Sequence, residues 1–165
     1  MSKLFNVLVL CTGNSARSIL GEMLFNHLGQ GRIKAYSAGS KPGGVVNPVA
    51  IETLQRHGVA CEGARSKSWD EFGLAGAPEF DFIFTVCSNA ANEVCPIWPG
   101  HPNTIHWTMP DPAHVEPMEA RRAAFEQTYQ ALKRRIETFL ALPFETMSLE
   151  KSALAARRIH DEAAP

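Results

Sequence analysis

Residues 6–28 read NVLVLCTGNSARSILGEMLFNHL, and this stretch decides the fold. The run Leu4, Phe5, Val7 to Leu10 is continuously apolar, as expected of a strand covered on both faces. It stops at Cys11. Five small or polar residues lead to Arg17 and Ser18, after which Leu20, Met23, Leu24 and Leu28 recur at helical spacing until Gly29 and Gly31 end the pattern. A strand, a tight loop and a helix follow one another without a spare residue.

Working outward, RIKAYSAG (32–39) reads as a second short strand, and NPVAIETLQRHG (47–58) as a helix with Asn47 as cap, Pro48 at its first position and Gly58 as terminator. A shorter helix is expected near Ser68 to Phe72. FDFIFTVC (80–87) is a third buried strand ending on a cysteine, and NTIHWTM (103–109) a fourth. Phe125, Tyr129, Leu132, Ile136 and Phe139 step by helical intervals and form one apolar stripe. Past Pro143, SLEKSALAARRIHDEA reads as either a further helix with a weak stripe or a loosely docked tail. Strands alternating with helices imply a parallel sheet with helices on both faces, and in such sheets ligands bind beyond the carboxyl ends of the strands. Cys11, Cys87 and Asp111 are all expected at that edge. One domain is expected over residues 1–142, with 143–165 as a C-terminal extension.

With 165 residues, 45% hydrophobic and 20% charged, the chain suits one soluble domain with a real core. A net charge of −1 gives no sign of a nucleic-acid or membrane-surface binder. The first apolar run is too short to span a bilayer, and a turn and helix follow it rather than a cleavage site. The expectation is a cytoplasmic protein. Four cysteines, Cys11, Cys61, Cys87 and Cys95, then point to nucleophiles or redox centres rather than a disulfide framework. The seven residues between Cys87 and Cys95 do not match a zinc knuckle, and no metal site is expected. Packed cysteines acting as small hydrophobes are the bland alternative, adopted for Cys61.

The loop after the first strand has a physical purpose. Small residues between a strand and a helix curl so that successive N–H groups point inward as an anion nest. Gly13 permits the positive φ that this curl needs, and Asn14 tolerates it better than most residues. The helix adds its unpaired N–H groups and dipole, and Arg17 adds a planar fork for two oxygens. In that field Cys11 is expected as a thiolate, with Ser18 donating to the sulfur. The target is a tetrahedral oxyanion cradled by Thr12, Gly13, Asn14, Ser15, Ala16 and Arg17.

LVLCTGNSARS, YSAGS (36–40), TVCSNAANEVCP (85–96) and HWTMPDPA (106–113), in that order, resemble the low-molecular-weight protein tyrosine phosphatase superfamily, most closely its arsenate reductase branch. The resemblance implies a flavodoxin-like fold with a four-stranded parallel sheet, Cys11 as nucleophile, Arg17 and the 12–17 backbone as oxyanion cradle, and Asp111 as general acid. Ala16, Ile19 and Ala113 depart from the phosphatase pattern: there is no second loop cysteine, no proline after the loop serine and no aromatic after Asp-Pro. That narrower site suits arsenate, with phosphate and sulfate as competing anions. Cys87 and Cys95 would supply the two electrons, and no bound cofactor is implied, only an external thiol reductant, thioredoxin or glutathione with glutaredoxin. The rival readings are a phosphate monoester hydrolase that leaves Cys87 idle and a redox-gated oxyanion-binding module. Trp98 and Trp107 read as packing, and no histidine shows ligand spacing. Asn14, Glu22 and Ser37 resemble positions that hold a monovalent cation in some relatives.

Overall fold

The computed structural model describes residues 4–88, 101 and 103–163. Four parallel strands, β1 (Phe5–Cys11), β2 (Ile33–Gly39), β3 (Phe82–Thr85) and β4 (Thr104–His106), lie in the order β2-β1-β3-β4. The helices are α1 (Arg17–Leu28), α2 (Pro48–Arg56), α3 (Met118–Leu140) and α4 (Leu149–Ala163), with a 3₁₀ helix at Trp69–Gly73. Strand β1 is central, which explains its unbroken apolar run: alternate side chains enter two different cores.

The larger core joins Val7, Val9, Phe82 and Phe84 to apolar residues of all four α-helices. The smaller one, Leu8, Leu10, Ala38 and Ile83, is covered among the described residues by Tyr36, Trp69, Phe72 and Phe80 around the 3₁₀ helix. Helical structure therefore covers both faces, unequally. The Asn47 side chain accepts from the Val49 N–H (2.9 Å), with Pro48 at the first helical position, so α2 is capped as its sequence predicts.

One expectation needs correction and one alternative is decided. Strand β3 ends at Thr85, before Cys87, although the alignment with the β4 side persists: Trp107 N donates to Thr85 O (2.8 Å) and Met109 N to Cys87 O (3.1 Å). The segment beyond Pro143 is not loosely held. Helix α4 buries Ser152, Ala153 and Ala156, the Trp107 indole donates to Ala156 O (2.9 Å), and the Arg157 guanidinium donates to Thr104 O at the end of β4. The most buried residues of α4 are small, so few large apolar side chains mark the buried face. Trp107 is fully buried against Phe84, the packing role expected of it, whereas Trp98 lies outside the described residues.

Candidate active site

Strand β1 delivers Cys11 to the carboxyl edge of the sheet, and the chain wraps back over the sulfur before α1 begins. The Asn14 N–H donates to Cys11 Sγ (3.3 Å), and Ser18 Oγ lies 2.9 Å from it. Asn14 Nδ2 donates to Ser18 Oγ (2.7 Å), so the single hydroxyl proton of Ser18 is available to the sulfur. The Asn14 N–H and the Ser18 hydroxyl thus converge on the sulfur. Helix α1 contributes its exposed dipole end: its cap is Ala16, which offers no side-chain acceptor, and its first turn carries no acid.

Of the two residues that permit a positive φ, Asn14 adopts it (φ 47°) and Gly13 does not. Asn14 holds this conformation because its side chain is bonded on every side. Oδ1 accepts from Lys67 N (2.9 Å), and Nδ2 also donates to Ser37 Oγ (3.0 Å). The close approach is met at Gly39 instead, where a Cβ would stand 2.5 Å from Thr12 O. Outer bonds fix the loop further: Lys41 N to Thr12 O (2.9 Å), Ser66 Oγ to Gly13 O (3.2 Å) and Asn47 N to Ser15 O (2.9 Å).

Arg17 turns inward and is only 4% exposed. Its Nη1 donates to Met109 O (3.1 Å), and its Nη2 stands 3.6 Å from Asp111 Oδ2. Asp111 accepts from Ala113 N (3.0 Å), so the turn beyond β4 holds its own carboxylate in place. A cleft of about 280 Å³ lies over this assembly, lined by Thr12, Gly13, Ser15, Ala16, Arg17, Asn47, Asp111, Ala113 and His114. Cys11 is 2% exposed and Asn14 and Ser18 are fully buried, so the sulfur sits within the loop rather than open at the rim.

Cys87 is also fully buried and is disulfide-bonded, whereas Cys11 and Cys61 are free thiols. Cys95 lies outside the described residues. Met109 links the segment after β3 to the loop arginine, because its N–H donates to Cys87 O while its carbonyl accepts from Arg17 Nη1.

Behind the loop, Ser37 Oγ donates to Glu22 Oε1, and the Lys67 ammonium stands 3.8 Å from the same oxygen. Burial pushes the Glu22 carboxyl up and the Lys67 ammonium down, each against its partner's charge. Asn14, Glu22 and Ser37 are thus brought together, and the cation beside them is the protein's own Lys67. Among the described residues no group of three or more His, Cys, Asp or Glu side chains is placed to hold a metal. Lys67, Ser66, Gly39 and His114 were not singled out for the site from sequence; only Gly39, inside YSAGS, stands in a motif. No helix of the described residues is long and apolar enough to cross a membrane.

Residues 6–153 match the family described as low molecular weight phosphotyrosine protein phosphatase. An arsenate reductase of Halalkalibacterium halodurans is 34% identical over 131 residues, covering 79% of this chain and 91% of that one. The solved arsenate reductase of Archaeoglobus fulgidus superposes with a TM-score of 0.62 at 27% identity, covering 79% of this chain and 98% of its own. A solved arsenate reductase in its phosphate-binding state gives a TM-score of 0.67 at 25% identity over 83% of this chain and 97% of that one.

Proposed function

The chain belongs to the low-molecular-weight phosphotyrosine protein phosphatase family, on its arsenate reductase branch, and from that premise we propose that it reduces arsenate to arsenite through a thiol relay begun by Cys11. The observation that carries this reading is the free Cys11 wrapped by donors beside the inward-turned Arg17 and Asp111, with Cys87 O reached through Met109, whose carbonyl accepts from that arginine.

Arsenate enters the cleft with its oxygens on Arg17 and the loop N–H groups, where phosphate and sulfate compete by shape and charge. The Cys11 thiolate attacks arsenic, and Asp111 gives its proton to the departing oxygen, which leaves as water. Cys87, as a thiolate, then attacks Cys11 Sγ. The sulfur–arsenic bond breaks with both electrons on arsenic, arsenite leaves, and a Cys11–Cys87 disulfide forms. Cys95 attacks Cys87, which frees Cys11 and leaves the oxidation on the Cys87–Cys95 pair. An external dithiol or glutathione system returns the electron pair.

Arsenate-dependent consumption of reductant, with thioredoxin and with glutathione plus glutaredoxin run in parallel, tests the proposal and assigns the donor. Cys87→Ser stops turnover in both systems under the relay. Aryl phosphate hydrolysis at full rate in Cys87→Ser, with no arsenate turnover by the native chain, would instead assign a phosphatase using Cys11, Arg17 and Asp111.

A further inference from the structure

A second cavity, of about 550 Å³, opens between α3, α4 and the Pro110–Asp111–Pro112 turn. Its volume is that of a small-molecule site, and its walls are chiefly apolar, Met109, Val115 and Ala131 among them. Its polar end is unusual. Arg135 lines it at 6% exposure and has no carboxylate partner among the described residues. Its Nε donates to His160 Nδ1 (3.0 Å) and its Nη1 to Ala131 O (3.0 Å), which leaves Nη2 with no hydrogen bond among the described residues. Arg134 lines the same cavity and adds a second positive charge.

The surroundings do not neutralise that charge. His160 accepts from Arg135 at Nδ1 and meets Thr108 Oγ1 with Nε2 (2.8 Å), the pattern of a neutral ring. Burial first, and then Arg135, pushes the His160 pKa down, in agreement. Burial and the Arg134 charge likewise push the Arg135 pKa down, as expected of a cation lacking its counter-ion. Asp111 is the acid on the cavity wall, and its carboxylate is engaged by Arg17 and the Ala113 N–H; Asp161, beside His160, is exposed. A buried guanidinium facing an apolar hollow is a costly arrangement unless something anionic completes it.

We propose that this cavity is a binding site for an amphipathic organic carboxylate, its head on the Arg135–Arg134 pair and its apolar body along the α3–α4 wall. Nη2 of Arg135 can donate to a carboxylate oxygen, and the walls exclude a fully hydrated inorganic anion in favour of one with a hydrocarbon part. His160 and Ala163 lie beyond the span matched to the family, so the site is built partly from residues outside that match. It is separate from the Cys11 loop and does not depend on the reaction assigned there.

Calorimetric titration of the full chain with octanoate below its micelle concentration tests the proposal. Saturable one-site binding is expected, weakened about tenfold or more in Arg135→Leu, in line with loss of a charge-assisted pair. Arg134→Gln, at an exposed position where folding is not at risk, weakens it several-fold. Octanamide, with the same tail and no charge, binds at least about tenfold more weakly than octanoate. Saturating inorganic phosphate leaves octanoate binding unchanged. Absence of saturable binding, equal binding of octanamide, displacement by phosphate, or native affinity in Arg134→Gln would each overturn the assignment.

Discussion

The loop that carries Cys11 and the turn that carries Asp111 face one cleft but are held by different means. On the Cys11 side, Asn14 is fully buried, sits in a left-handed conformation and has its side-chain amide bonded to Lys67 N, Ser18 and Ser37. On the Asp111 side the carboxylate is 35% exposed and is held by one N–H, one distant guanidinium and the two flanking prolines. The nucleophile's side is part of the core. The acid's side is attached to it. The contrast suits the chemistry, since a sulfur needs fixed dipoles around its charge, whereas an acid must meet a proton acceptor that changes from substrate to substrate.

Variants break or sharpen this contrast. The largest effect is expected for Asp111→Asn: turnover falls about 10²- to 10⁴-fold, while the melting temperature stays within the scatter of a surface change. A large loss of stability in that variant would show that the acid turn is also structural. Asn14→Ala does the converse on the other side. It leaves the Lys67 N–H without its acceptor and takes a donor from the Ser18 and Ser37 hydroxyls, with about 3 kcal/mol lost in denaturant unfolding, together with activity. Gly39→Ala places a methyl against Thr12 O and costs about 1–3 kcal/mol, read by the same denaturation.

The smallest effect concerns the charge pair behind the loop. The folded Glu22 carboxyl is raised above its ordinary 4.5, chiefly by burial, so the native state holds that proton more tightly than the unfolded chain does. Glu22 therefore contributes stability that is fully present below 4.5 and is lost as pH rises through its raised value. Glu22→Gln removes that dependence. Unfolding free energy measured from pH 4 to 8 in both chains should show a flatter profile for the variant, and equal slopes would contradict it.

What was legible in the sequence follows the range of the contacts. Cys11, Arg17 and Ser18 declare themselves because a strand, a loop and a helix place them together within eight residues. Asp111 is reached through the order of the strands and the resemblance at HWTMPDPA, not through its own neighbours. Lys67 escapes notice because its bond to Asn14 spans 53 positions and the segment before it has no periodicity. The choice between Gly13 and Asn14 has a related cause. Both permit the conformation locally, but the side-chain bonds that make it worthwhile at Asn14 come from elsewhere in the fold. For α4 the sequence allows either a helix or a loose tail, because the residues it buries are serine and alanine.

Phe144 has a practical consequence for anyone who shortens this protein. Its ring lies flat on Phe139 at 5.2 Å, edge-on to Phe5 at 5.0 Å, and beneath the Arg32 guanidinium at 4.4 Å. Trimming the C-terminus back to Leu142 would open a ring-sized hole in the aromatic cluster and strip the indole of Trp107 of its acceptor. Such a fragment would melt early, and its poor behaviour would be misread as a defect of catalysis.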